Sequence, residues 1–122
     1  MVTYGHTVRY DGQDLDEHES GGAFRAESRW DDRSLTVVVG GEVDLSTADT
    51  LYTAGLAGLA DGADRLVLDL REVDFFDSAA IRTVIRLADQ YPDAFSVLPS
   101  AHVRRVLDFC GLGDEPWLNP AT

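Results

Sequence analysis

The amino-acid sequence predicts an α/β fold, with a mixed β-sheet of four to five strands and helices packed mainly on one face of it. Three observations support this prediction. The chain has 122 residues, which is enough for one domain with a core of its own. Short β-branched or apolar segments alternate with helical patterns along the chain. Helical connections of about ten residues favour right-handed crossovers between parallel strands.

The first 22 residues differ in composition from the rest of the chain. The segment Asp11–Gly22 is acidic, contains glycine and has almost no large apolar side chain. Such a segment cannot bury enough surface to offset the entropy that ordering costs. We therefore expect residues 1–22 to be a flexible acidic N-terminal tail and residues 23–122 to be the folded domain. Within the tail, Thr7–Tyr10 is compatible with a short strand or with binding to a neighbour.

A β-hairpin and a helix are predicted for residues 23–60. Ala23–Trp30 alternates loosely between apolar and polar residues, Asp31–Ser34 has turn composition, and Leu35–Val43 is rich in β-branched residues. Ser46 is the expected N-cap of the helix that follows. The apolar residues of that helix recur at helical spacing, at Ala48, Leu51, Tyr52, Gly55, Leu56 and Leu59.

The next unit is a strand followed by a helix with a serine in its first turn. Arg65–Leu70 is short and apolar, as expected of a central strand. The following helix begins near Ser78 and is expected to end at Tyr91–Asp93. Its predicted buried side carries Ile81, Val84, Ile85 and Ala88, and its predicted exposed side carries Arg82, Arg86 and Asp89.

A final strand and helix complete the predicted domain. Phe95–Leu98 has strand composition, and Ser100 is the expected N-cap of the third helix. Trp117–Leu118 is compatible with a last short strand or with simple packing against the domain. The expected buried stripe of the third helix consists of Val103, Val106, Leu107 and Cys110. We interpret Cys110 as an inert thiol in the core.

The composition excludes several classes of function. The formal net charge is −12, so binding to nucleic acid or to an anionic membrane is not expected, because both require a basic surface. The acidic chain would attract a basic surface of another protein. A role of the negative charge in solubility alone explains the composition equally well. The chain has no lysine, which excludes mechanisms that depend on a P-loop or Schiff-base lysine.

Other features predict a cytoplasmic protein without a cofactor. No apolar run approaches the length of about 18 residues that a membrane-spanning helix needs. The first residues lack the pattern of a signal peptide, and the single cysteine cannot form an internal disulfide. No metal site is expected, because neither an EF-hand spacing nor a histidine cluster accompanies Asp69 and Asp74. The Gly-x-Ser-x-Gly motif of serine hydrolases is also absent from the sequence.

Three blocks of the sequence carry a family resemblance. Val39–Ala48 is similar to a strand-to-helix turn with the pattern GELD..TA. Leu68–Ile81 is similar to the pattern LDL…V.F.DSSG, and Pro99–Leu112 is similar to SPAVRRVLELTGL. In this order and spacing, the three blocks resemble the STAS family of anti-sigma-factor antagonists.

The resemblance implies a STAS-like fold and a binding module that is switched by serine phosphorylation and is not an enzyme. The unphosphorylated antagonist binds an anti-sigma factor that is also a serine kinase of the GHKL type, and so frees a sigma factor. The kinase phosphorylates the serine that corresponds to Ser78, which ends binding, and a PP2C-type phosphatase restores it. We expect the partner to contact Asp44, Asp77, Ser78, Ala79 and Arg82.

The chain departs from the family pattern next to this serine. Ala79 and Ala80 stand where the family has Ser-Gly, and Arg82 stands where it has glycine. A STAS scaffold subunit of a larger signalling or transport assembly therefore remains an alternative function. A phosphoacceptor receiver domain or small enzyme that uses Asp69, Asp74 or Asp77 is disfavoured by the missing lysine.

The sequence is compatible with two interpretations of the helix cap near Ser78 and with two roles for Asp44 and Glu42. Local physics alone favours Ser78 as a simple helix N-cap, whereas capping by Asp77 would leave the serine hydroxyl free. Asp44 and Glu42 are either partner contacts or residues whose side chains only stabilise the turn.

Overall fold

The computed structural model describes residues 7–11 and 23–121. Within these residues, five strands and three helices follow one another in an order that matches the predicted α/β fold. The elements are β1 (Thr7–Asp11), β2 (Arg25–Asp31), β3 (Ser34–Val43), α1 (Ala48–Ala60), β4 (Arg65–Phe76), α2 (Ser78–Gln90), β5 (Phe95–Pro99) and α3 (Ala101–Phe109).

The strands form one mixed sheet in the order β1-β2-β3-β4-β5. β1, β2 and β3 pair antiparallel, whereas β3–β4 and β4–β5 pair parallel. Each parallel pair is joined through a helix, α1 for the first and α2 for the second. The carboxyl ends of β3 and β4 therefore lie at the same edge of the sheet, and this edge brings the β3–α1 and β4–α2 loops together.

One face of the sheet carries the core. Leu35, Val37 and Val39 of β3 are buried, and the residues between them, Thr36 and Val38, are half-exposed. The register places Leu68 of β4 beside Val37, and Val97 of β5 beside Leu68. Apolar residues of all three helices join the same core cluster. The helices therefore pack mainly on one face, as predicted.

α1 and α2 pack closely against each other. A Cβ atom on Gly55 of α1 would lie only 2.7 Å from a methyl carbon of Leu87 in α2, so a larger residue would force the Leu87 side chain to shift. The hydroxyl of Tyr91, just after α2, donates a 2.7 Å hydrogen bond to the Gly55 carbonyl. The Arg86 guanidinium lies 3.9 Å from the centre of the Tyr52 ring. These contacts fix the position of α2, and with it the position of Ser78.

The strand that is possible at Thr7–Tyr10 is present as β1, paired with β2. The other residues of the predicted tail, 1–6 and 12–22, lie outside the described residues. Leu118 forms an isolated parallel bridge to Val97 of β5, and Trp117–Leu118 does not form a strand of its own. β4 is longer than predicted and continues to Phe76 through two irregularities in its pairing with β3.

Two predictions about buried helix positions are wrong. Ile85 is 40% exposed, because the inward side of α2 is formed by Ala79, Ala80, Thr83, Val84 and Leu87. Cys110 is exposed instead of buried, because α3 ends at Phe109 and the cysteine is its C-cap. The predicted exposed residues of α2, Arg82, Arg86 and Asp89, are exposed.

The predicted start of α1 is also wrong. Its N-cap is Thr47, whose side chain makes no capping bond, and Ser46 lies in the preceding turn. The Ser46 hydroxyl instead donates to Asp44 Oδ1 at 2.8 Å. Ser46 therefore belongs to the turn before α1 and is not the cap of the helix. The predicted N-cap of α3 is confirmed, since Ser100 Oγ accepts from the Val103 N–H at 3.1 Å.

Candidate functional site at the start of α2

The β4–α2 junction is a one-residue connection that exposes a serine. β4 ends at Phe76, Asp77 has extended backbone angles, and Ser78 is the first residue of α2. Oδ1 of Asp77 accepts from the backbone N–H groups of Ala79 and Ala80, at 2.9 and 3.1 Å. Asp77 is therefore the N-cap, and the interpretation of Ser78 as the cap is wrong. Within the described residues, the exposed Ser78 side chain makes no hydrogen bond.

The second carboxylate oxygen of Asp77 connects α2 to the neighbouring loop. Oδ2 accepts from the backbone N–H of Leu45 at 3.1 Å. Thr47 also contributes to this loop, because its hydroxyl oxygen accepts from the Asp44 N–H at 3.0 Å. One aspartate thus binds both the first turn of α2 and the β3–α1 loop.

Asp44 stabilises the turn that it belongs to. Its Oδ1 accepts from the Ser46 N–H at 3.0 Å and from the Ser46 hydroxyl. The turn-forming interpretation of Asp44 is therefore confirmed, and its half-buried side chain still reaches the surface. Glu42 precedes it as an exposed residue near the end of β3.

The structure brings together most of the residues that the sequence predicts for partner binding. Asp44 and Asp77 lie on the two joined segments, Ser78 follows directly, and Arg82 lies one turn further along α2 and is exposed. Ala79 differs from the others, because it is only 7% exposed and packs inward. Its contribution to this surface is the backbone N–H that binds Asp77.

Two apolar residues of the same surface were missed by the sequence predictions. Leu45 is 78% exposed, although it lies in a turn where polar residues are usual. A large apolar residue between Asp44 and Ser46, in a segment with turn composition, was the sequence signal for this exposed side chain. Ile85 lies seven residues after Ser78, on the same side of α2 as Ser78 and Arg82. We call Leu45, Ser78, Arg82 and Ile85 the α2 start surface.

Asp69, one of the other aspartates of the predicted site region, is held in an ion pair. Asp69 binds Arg71 through two side-chain hydrogen bonds of 2.8 and 2.7 Å. This pairing lowers the pKa of Asp69 below 3.8, against the effect of its burial. Among the residues that the structure describes, no group of three or more His, Cys, Asp or Glu is placed to hold a metal ion. No helix of the described chain is both long and apolar enough to cross a membrane.

Comparison with known proteins decides the family. The family model described as "Mlab, STAS domain" matches residues 26–119. The chain belongs to the STAS family. This match spans β2 to the segment after α3 and includes the α2 start surface, so the resemblance of the three sequence blocks is confirmed. A comparison with curated proteins gives no match.

Solved structures of STAS proteins have the same fold as this chain. The crystal structure of an anti-sigma factor antagonist from Mycobacterium paratuberculosis is similar with a TM-score of 0.74 and 26% identity, covering 85% of this chain and 92% of that one. The unphosphorylated form of the anti-sigma factor antagonist SpoIIAA gives a TM-score of 0.65 at 23% identity, covering 82% and 89%.

The phosphorylated form of SpoIIAA, described as a Bacillus cell fate determinant, gives a TM-score of 0.60 at 22% identity, covering 82% and 92%. At this identity the SpoIIAA structures show the fold alone. The chain is thus a STAS domain that resembles anti-sigma factor antagonists.

Proposed function

We propose that this STAS domain is an anti-sigma-factor antagonist that binds its partner through the α2 start surface and releases it when Ser78 is phosphorylated. The observation that carries the proposal is the capping of α2 by Asp77. Because Asp77 binds the N–H groups of Ala79 and Ala80, the hydroxyl of Ser78 has no structural role to lose. A kinase can therefore reach it without disturbing the helix.

The effect of a phosphate follows from the charge that surrounds Ser78. Phosphorylation adds about −1.5 to −2 charge at neutral pH. The N–H groups that would otherwise attract a phosphate to the start of α2 already bind Asp77. The phosphate is therefore placed beside a carboxylate and competes with it for the same donors. Partner binding is lost through repulsion and desolvation at the surface, while the core remains folded.

The partners in this proposal are an anti-sigma factor with serine kinase activity of the GHKL type and a PP2C-type phosphatase. The exposed Leu45 and Ile85 supply apolar contacts to the anti-sigma factor, and Arg82 supplies a cation for an acidic group on it. The domain acts in the cytoplasm as a binding module and not as an enzyme. It uses no cofactor and engages neither nucleic acid nor a membrane.

A STAS scaffold subunit of a larger signalling or transport assembly is the second candidate. It is favoured by Ala79 and Ala80, which are buried helix residues where the family pattern has Ser-Gly. In that case the partner would be a permanent subunit, and its binding would not depend on Ser78.

The test starts with a pull-down from the source cell and identification of the bound proteins by mass spectrometry. Ser78→Asp and Ser78→Ala are then titrated against the captured partner. Ser34→Asp is the charge-matched control, because Ser34 is the first residue of β3 and lies at the end of that strand away from the β3–α1 loop. We expect Ser78→Asp to weaken binding at least ten-fold, with Ser78→Ala and Ser34→Asp close to wild type. Tight binding by folded Ser78→Asp would contradict the switch and favour the scaffold.

A further inference from the structure

The far end of α2 borders a surface cavity that the proposed function does not use. α2 has 13 residues, so its last residue lies about 18 Å along the helix axis from Ser78. The cavity has a volume of about 500 Å³. It is lined by Ala88, Asp89, Tyr91, Pro92, Asp93, Phe95, Pro116 and Trp117. We call it the Trp117 cavity.

Aromatic rings form its wall in a fixed arrangement. Phe95 and Trp117 pack edge to face, with ring centres 5.6 Å apart and planes at 64°. Phe95 is buried, whereas Trp117 is half-exposed and lines the cavity. The Trp117 backbone is held in place, since its carbonyl accepts from the Val97 N–H at 2.8 Å. The indole therefore forms a preformed wall of the cavity.

Two aspartates give the rim of the cavity a negative charge. Asp89 and Asp93 are exposed, and neither forms an ion pair or a hydrogen bond with its side chain in the described parts of the chain. α2 has no basic residue in its last turn, where the helix dipole adds partial negative charge. Arg86, one turn earlier, is placed over the Tyr52 ring on the α1 side. Asp89 thus lies where its charge opposes helix stability, and a cation would correct this.

We propose that the Trp117 cavity binds an arginine side chain from a basic segment of a partner protein. A guanidinium is planar, so it stacks on an indole while its N–H groups bind carboxylates on the rim. The net charge of −12 attracts such a basic segment. A lysine ammonium fits less well, because it is more strongly hydrated and cannot stack. This site is separate from the α2 start surface and does not require Ser78.

The experiment uses the tryptophan of the cavity as its reporter. Trp30→Phe leaves Trp117 as the only tryptophan of the chain. Pentaarginine and pentalysine are titrated against this variant at physiological ionic strength, with emission of Trp117 as the readout. We expect saturable binding of pentaarginine, and at least three-fold weaker binding of pentalysine. The indole N–H signal of Trp117 in the NMR spectrum of the wild-type protein provides a second measurement.

Charge-matched variants separate a specific site from general attraction. Asp89→Asn/Asp93→Asn removes the rim charges, and asparagine suits the left-handed backbone of Asp93, where φ is 62°. The control Asp49→Asn/Asp74→Asn removes the same charge from exposed positions outside the cavity. The rim variant is expected to bind pentaarginine at least five-fold more weakly than the control. Absence of saturable binding, equal affinity of the two double variants, or equal affinity for pentalysine would overturn the proposal.

Discussion

Oδ2 of Asp77 lies 3.1 Å from the backbone nitrogen of Leu45, and this hydrogen bond joins the β3–α1 loop to the start of α2. The same carboxylate caps α2 through its other oxygen. A single side chain therefore determines both the local stability of α2 and the position of the exposed Leu45. Any charge placed on Ser78 acts first on this carboxylate.

Replacing Asp77 is expected to destabilise the domain and to weaken partner binding together. Loss of an N-cap typically costs about 1 kcal/mol of unfolding free energy, with a range of about 0.5–2 kcal/mol. Asp77→Ala should show this loss in urea denaturation. Asp77→Asn should lose less, because asparagine is also a good cap. Asp74→Ala is the control, since Asp74 is an exposed residue of β4. Equal stability of Asp77→Ala and Asp74→Ala would contradict the capping role.

Arg82 is expected to determine partner choice more than stability. Arg82→Gly restores the residue of the family pattern and should cost about 1 kcal/mol through lower helix propensity. It should also weaken binding to the cognate anti-sigma factor, or allow binding to related ones. Titration against the identified partner measures this effect.

Arg105→Gly is the matched control for Arg82, because it changes an exposed arginine within α3. A similar loss of unfolding free energy is expected there, with no change of affinity. If Arg82→Gly keeps wild-type affinity and discrimination, then Arg82 is only a solvated helix residue.

The Asp69–Arg71 pair should make stability depend on pH in the acid range. The pKa of Asp69 in the folded protein is lowered, chiefly by its hydrogen bonds from Arg71. The ionised form of Asp69 is therefore favoured in the folded protein, and it adds to the stability of the fold at any pH above the unfolded-state pKa of about 3.8. This contribution is lost as the pH falls through the lower pKa that Asp69 has in the folded protein. Arg71→Ala should therefore be less stable than wild type at pH 7, and this difference should shrink below pH 3.8. A difference that does not change with pH would contradict this coupling.

Tyr91→Phe is expected to destabilise the packing of α1 against α2. The change removes a buried hydrogen bond and leaves the Gly55 carbonyl without this donor, at a cost of about 1–2 kcal/mol. Burial also raises the pKa of Tyr91 from 10.0 to about 12. The unfolded chain therefore loses this proton first as the pH rises, so wild-type stability falls between about pH 10 and 12.

Urea denaturation at pH 8 and pH 11 tests both effects of Tyr91. The phenylalanine variant should lose less stability than wild type between these two values. Tyr52→Phe keeps the Tyr91 hydrogen bond and serves as the control for removal of a tyrosine hydroxyl. An identical alkaline loss in Tyr91→Phe and wild type would contradict the role of burial.

Much of the fold could be predicted because its strands have strong local signals. The β-branched segment of β3 and the apolar run of β4 are specified by residues that only a buried sheet accommodates well. The serine at the start of α2 could be located because a strand, an aspartate and a helical pattern follow one another there. Family resemblance then supplied the function of that serine.

The errors occurred where tertiary contacts decide between similar local choices. Ser46 was the expected cap of α1, but it belongs to the turn that Asp44 forms, and the helix begins one residue later, after Thr47. Thr83 and Ile85 flank the buried Val84 on opposite sides, each about 100° from it around the helix axis, and the orientation of α2 buries Thr83 and exposes Ile85. The sequence could not show that the Leu45 N–H reaches Asp77, because 32 residues separate the two.

The bridge between Leu118 and Val97 has a consequence for association with other chains. An uncovered edge strand offers unpaired N–H and carbonyl groups to a strand of another molecule. Here the Val97 N–H donates to the Trp117 carbonyl, and the Val97 carbonyl accepts from the Asn119 N–H at 3.0 Å. Arg104 secures the covering segment by donating to the Asn119 carbonyl at 3.0 Å. The β5 edge is thereby closed to strand addition at its centre, which disfavours aggregation through this side of the sheet.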